Sequence, residues 1–277
     1  MKHFRPRLSR RAFWVLCALL VCLRLALTGF QQAYIWVGGA PLDDELMFRA
    51  ANHITAGQWL GAYDYLTLSK AMFFPVWLAL LHALHLPYLI SGAALWCGAA
   101  LLAAFAFSTL WRKKDPAQGR VLTLGLFAAL AFLPSSWAAY TLRVYRDNIF
   151  PALCLYFFAG MAGMARCAVL TPEKPLWPWL AAAGVGLACG YLDREDAGLF
   201  LLPFAAAVTV VVAVVLAGKR RWKALAAQVI PYAMLGVGVL TFCTLNYTHY
   251  GMFALSDFSE GCLLYTSDAA DEARSVD

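Results

Sequence analysis

The chain has 277 residues, 62% of them hydrophobic and only 14% charged, with a mean hydropathy of +0.65 and a formal net charge of +6. A soluble domain of this length carries about a quarter charged residues, so the composition excludes an ordinary soluble globule, and disorder with it. The basic residues sit at the ends of apolar blocks, which argues against a nucleic-acid partner and for lipid as the main solvent.

A bilayer core is crossed by about 20 apolar helical residues. Seven segments qualify in chain order: Ala12–Gly29, Ser91–Trp111, Val121–Tyr140, Ile149–Cys167, Trp177–Leu192, Ala197–Gly218 and Ala224–Tyr247. An eighth apolar run, Met72–Leu86, is short and contains Pro75, so it reads as a helix at the membrane interface. The expected fold is all-α and polytopic, with an interfacial helix in a first outer loop over residues 37–90. Ser9–Trp14 (SRRAFW) faintly resembles a twin-arginine export signal, but the later spans favour a retained signal-anchor. At the other end, Cys262–Glu272 (CLLYTSDAADE) matches the translation of a transposase sequencing adaptor. Residues 262–277 are therefore set aside as an assembly scar, leaving 1–261 as a membrane module expected to continue further.

Charge orients the spans, because cytoplasmic loops are enriched in Lys and Arg. Arg10 and Arg11 precede the first span, Lys113 and Arg120 separate the second from the third, Arg166 and Lys174 the fourth from the fifth, and Lys219 to Lys223 the sixth from the seventh. These places alternate correctly and put the N-terminus in the cytoplasm, provided Met72–Leu86 does not cross. The acids gather on the opposite, outer side. The cysteines outside the tail all lie in apolar blocks without metal or disulfide spacing and read as small buried hydrophobes.

Three outer clusters carry chemistry. Asp43, Asp44 and Glu45 open a helical pattern in the first outer loop. Capping and the helix dipole explain one carboxylate well and three poorly. Adjacent carboxylates also suit a general base or a divalent cation with hard oxygen ligands. Arg143 and Arg146 lie three residues apart, a spacing that on a helical turn would clamp a phosphate; interfacial snorkelling is the alternative. The third cluster, Asp193–Asp196 (DRED), is either a solvated turn with internal ion pairs or part of a site.

Arg24 within the first span reads as snorkelling, with an internal acid partner as the alternative, His82 and His85 as packing residues, and Gly186 with Gly190 as a close helix contact. Asn246–Thr248 matches a glycosylation sequon very near a span end.

These residues together resemble the GT-C membrane glycosyltransferases, of which protein O-mannosyltransferases and lipid A aminoarabinose transferases are the nearest named relatives. The resemblance rests on Asp43-Asp44-Glu45 opening the first outer loop, on Ala51–Trp59 (ANHITAGQW), on Lys70 ahead of Phe74-Pro75, and on Arg143-Val-Tyr-Arg146-Asp147 in the second outer loop. It implies inverting transfer of a sugar from a polyprenyl-phosphate donor to an envelope lipid, glycan or protein on the extracytoplasmic face of a bacterial inner membrane. Asp43 or Asp44 would be the base, and Lys70, Arg143 and Arg146 would hold the lipid phosphate. Asp147, Arg194, Glu195 and Glu45 are further candidates, and Asp43, Asp44 and Glu45 would take a divalent metal if one is used. The rival class is a non-catalytic membrane scaffold or transporter-like subunit in envelope-polymer assembly. Mid-span ionisable residues would mark a transporter, and only Arg24 is one.

Overall fold

The computed structural model describes residues 7–36, 38, 41–64, 66–108, 115–171 and 173–256. The expected adaptor tail and the basic stretch 112–114 lie outside them. The chain is all-helical, with 74% of residues in helix and no strands among the described residues.

Eleven α-helices are described: α1 Arg10–Thr28, α2 Pro41–Thr55, α3 Phe73–Ala83, α4 Tyr88–Phe107, α5 Pro116–Ala131, α6 Ala139–Leu142, α7 Phe150–Val169, α8 Trp177–Asp193, α9 Ala197–Gly218, α10 Trp222–Ala227 and α11 Ile230–Tyr250. Local chemistry sets their ends. The Ser9 hydroxyl accepts the Ala12 amide at 3.1 Å to start α1. Asp115 caps α5 through the Ala117 amide at 2.9 Å, with Pro116 pre-set at the first helical position. α11 stops at Gly251, whose φ of 74° is the left-handed conformation that glycine adopts most easily.

Five helices or helix pairs are long and apolar enough to cross a membrane: α1, α4, α7, α9 and the stretch Trp222–Tyr250 that joins α10 to α11. This is the architecture of a membrane protein. Two of the seven expected spans fall short of that length. The expected Val121–Tyr140 span is instead α5, which begins earlier and ends at Ala131 after 16 residues. Pro134 then opens a 3₁₀ turn, Pro134–Trp137, because proline lacks the amide that would continue the helix. α8 has 17 residues and is central rather than peripheral. The apolar helix α3 has 11 residues, too few to cross.

Small residues bring α7 and α8 close together. A Cβ at Gly160 would lie 2.4 Å from the Ala183 backbone nitrogen, and one at Gly186 would lie 2.4 Å from that of Phe157. Gly190, the other half of the expected glycine motif, only grazes Leu201 at 3.3 Å. Around this centre, α1, α9 and α11 expose leucine and valine outward, among them Leu19, Val211 and Leu240, as lipid contact permits.

The charged residues sort to the two ends of the bundle. At one end Arg7 pairs with Asp115, Arg120 donates to the Leu8 carbonyl, and Lys219 donates to the Ala168 carbonyl. Most acidic side chains lie at the other end, where α2, the start of α7 and the α8–α9 turn meet.

Candidate functional site

At the acidic end Asp44 and Arg143 form a buried pair. Asp44 sits in the first turn of α2, where the helix dipole favours a carboxylate. It caps nothing: both its oxygens accept from Arg143, which donates through Nε to Oδ1 at 2.9 Å and through Nη2 to the same oxygen. The Trp36 amide donates to Oδ2 at 2.6 Å. Asp44 is 2% exposed and Arg143 9%. Arg143 is aimed by its backbone, which forms a bridge with Tyr34: the Tyr34 amide donates to Leu142, and the Val144 amide to Tyr34. The Tyr88 hydroxyl donates to the Arg143 carbonyl at 2.8 Å. The guanidinium also lies over the Tyr145 ring, 4.3 Å from its centroid.

Asp43, one residue earlier, faces a different set. Lys70 Nζ lies 3.7 Å from its Oδ1, and the Tyr145 hydroxyl donates to its Oδ2 at 3.2 Å. Both charged side chains of this ion pair are about a third exposed, 35% for Lys70 and 36% for Asp43. Burial raises the Tyr145 phenol above its ordinary value despite the adjacent Arg146, so the phenol keeps its proton and donates. Arg146 Nη2 in turn donates to the Tyr145 oxygen at 2.9 Å. A chain of donors therefore runs Arg146 to Tyr145 to Asp43, ending on a carboxylate that solvent reaches.

Arg146 is anchored on its far side by the α8–α9 turn. It donates to Glu195 at 2.9 Å and to the Asp193 carbonyl at 3.0 Å. Burial alone would raise the Glu195 carboxyl, but Arg146 and the Ala71 amide outweigh it and hold it below the ordinary value. The Ala71 amide donates to Glu195 at 2.6 Å, which ties the segment carrying Lys70 to the same turn. Arg194 pairs with Asp147 at 3.3 Å and with Asp196 at 3.2 Å.

Eight of the nine expected site residues, Asp43, Asp44, Lys70, Arg143, Arg146, Asp147, Arg194 and Glu195, thus lie in one neighbourhood, and Glu45 is exposed beside it. The expected phosphate clamp is not formed. Arg143 has extended backbone, Arg146 opens the 3₁₀ turn Arg146–Asn148, and each guanidinium is engaged by a different carboxylate. Among the described residues, no three His, Cys, Asp or Glu side chains are grouped to hold a metal ion, Asp43, Asp44 and Glu45 included. Tyr145, Tyr88 and Trp36 complete the network without having been singled out in the sequence; the signal for Tyr145 was its place between two arginines.

One other sequence reading changes. Arg24 does not snorkel: it is 3% exposed, and its guanidinium carbon sits 3.4 Å from the Trp137 ring centroid. Asn246 is buried, accepting from Trp59 Nε1 at 2.8 Å and donating to the Ala254 carbonyl at 2.7 Å, so its amide is not free to carry a glycan. α3 and the start of α4 line an apolar groove of about 310 Å³ through Trp77, Leu81 and Leu95. No protein-family model, curated protein or solved structure matches this chain.

Proposed function

We propose that the chain is the membrane module of a GT-C-like glycosyltransferase, transferring a sugar from a polyprenyl-phosphate donor to an envelope lipid, glycan or protein acceptor. The observation that carries this reading is Asp43, a solvent-reached carboxylate held between the Lys70 ammonium and the Tyr145 phenol. In this reading Asp43 takes the proton of the acceptor hydroxyl as its oxygen attacks the anomeric carbon. The bond from that carbon to the phosphate oxygen breaks with inversion, and the departing lipid phosphate is met by Lys70. Arg143 and Arg146 act as positioning residues, fixing α2 and Tyr145. The apolar groove beside α3 suits a polyprenyl chain.

The reading also places the acidic end outside and the N-terminus in the cytoplasm of a bacterial inner membrane, with α5 and α8 as shortened third and fifth crossings and α3 at the interface. The test is sugar transfer by the full protein in membranes, supplied with polyprenyl-phosphate sugars. Asp43→Asn is expected to lower the rate by about 10²–10⁴-fold with the fold intact. Wild-type transfer by that variant ends the reading.

One observation favours a second reading. Arg143 and Arg146 are both neutralised internally by Asp44 and Glu195, as suits a non-catalytic scaffold whose network holds the fold. A scaffold would support envelope-polymer assembly equally well with Asp43→Asn.

A further inference from the structure

Arg24 belongs to a second polar region, on α1 rather than in the outer loops. It is buried and makes no ion pair within 4.0 Å among the described residues. Its Nη2 donates to the Ser136 carbonyl at 2.8 Å, and Trp137 covers one face of the guanidinium. Nε and Nη1 have no partner. A buried guanidinium with two nitrogens unmet is costly unless something supplies the acceptors.

Arg24 lines a cavity of about 50 Å³ whose rim includes the exposed Ser135 and Tyr140. A single water needs about 10–15 Å³ of such cavity volume, so the space suits one compact polar group. Asn148 lines the same cavity. Its Nδ2 donates to the Thr141 carbonyl at 2.8 Å, which leaves Oδ1 as an acceptor without a partner. Gly92 makes room for it, since a Cβ there would stand 2.1 Å from that oxygen. Asp147 also lines the cavity. The lining residues therefore supply a cation with two unmet nitrogens, an amide with an unmet oxygen, and a carboxylate, Asp147, that Arg194 holds at 3.3 Å. That combination selects an anion that itself carries O–H donors, and Asp147 disfavours a high negative charge.

We propose that this cavity binds a phosphate group bearing or neighbouring hydroxyl donors, whether free hydrogen phosphate or the head group of a hydroxylated phospholipid. The cavity is lined by neither Asp43 nor Lys70, and the proposal does not depend on the glycosyltransferase reading.

The test is calorimetric titration of the full protein in an uncharged detergent, with inorganic phosphate in one arm and short-chain phosphatidylglycerol in the other. Saturable binding of one phosphate group per chain is expected. Arg24→Gln should weaken it by about tenfold or more, and Arg24→Lys by less. Ala93→Leu keeps Arg24 but fills the cavity from α4, and should weaken binding as strongly; it carries the test if Arg24→Gln fails to fold. Binding of phosphate assigns a soluble anion, and binding of phosphatidylglycerol alone assigns a lipid head group. Absence of saturable binding in both arms overturns the proposal, as does undiminished affinity in Ala93→Leu.

Discussion

Asp44 and Arg143 lie 99 residues apart in the chain and meet in a buried pair, with Arg143 Nε 2.9 Å from Asp44 Oδ1. The contact joins the first turn of α2 to the segment ahead of α7. A buried pair of this kind gains little over an apolar replacement, yet leaving one partner alone is severe.

Asp44→Asn or Arg143→Gln should therefore each destabilise the protein by about 3–5 kcal/mol. The double variant should lose clearly less than the sum, because neither charge is then stranded. Thermal unfolding in detergent of the two single variants and the double measures this. Additive losses would mean that the pair is not the unit that holds α2 in place.

Gly186 and Gly190 make a second contrast. A Cβ at Gly186 meets backbone, 2.4 Å from Phe157 N and 2.6 Å from Leu153 O, so α7 and α8 must move apart to admit it. A Cβ at Gly190 meets the flexible end of Leu201 at 3.3 Å and the Leu153 Cβ at an ordinary 3.9 Å. Gly186→Ala should cost about 1–3 kcal/mol. Gly190→Ala should change stability by less than about 0.5 kcal/mol, helped by the better helix propensity of alanine. Equal losses at both sites would show that the two glycines share the interface evenly.

The long spans were legible because an apolar block against charged flanks leaves few alternatives: Ile149–Cys167 is α7, Phe150–Val169, to within two residues at each end. The third span was misread because Val121–Tyr140 is one apolar run, and only Pro134 marks where its helix must stop. The site was legible as a set of charges on loops at one end of the spans. Its pairing was not. Arg143 meets Asp44 through a backbone bridge to Tyr34, a contact with no local sequence signal. Likewise, Arg143 and Arg146 share a helical spacing but not a helix, so the inferred clamp had no turn to sit on.

The division of charge between the two ends also predicts sidedness. Glu45 and Lys223 are both exposed and lie at opposite ends of the bundle. In a cysteine-free background, Glu45→Cys should react with a membrane-impermeant maleimide applied to the periplasmic side, and Lys223→Cys only after the membrane is opened. The reverse pattern would invert the protein. Labelling of both from outside would mean that an even number of crossings separates Glu45 from Lys223, against the odd number in the proposal.

Asp193 predicts how stability follows pH. It is fully buried, and among the described residues neither carboxylate oxygen has a hydrogen-bond partner. Burial raises its carboxyl well above the ordinary 3.8, with Arg146 and Arg194 pulling the other way. The folded state therefore holds a proton that the unfolded chain releases. The stability this provides is complete below the ordinary carboxyl value and is lost as pH rises through the folded value. Glu195 acts in the opposite sense, because its carboxyl is held below the ordinary 4.5 and its contribution is lost only toward acid. Asp193→Asn retains the backbone carbonyl that Arg146 Nη1 uses and resembles the protonated acid. The difference in melting temperature between variant and wild type cancels every other titrating group. That difference should grow in favour of the variant from pH 5 to pH 8. A flat difference across that range would mean that Asp193 ionises in the folded protein as readily as in the unfolded chain, with Arg146 and Arg194 meeting its full charge.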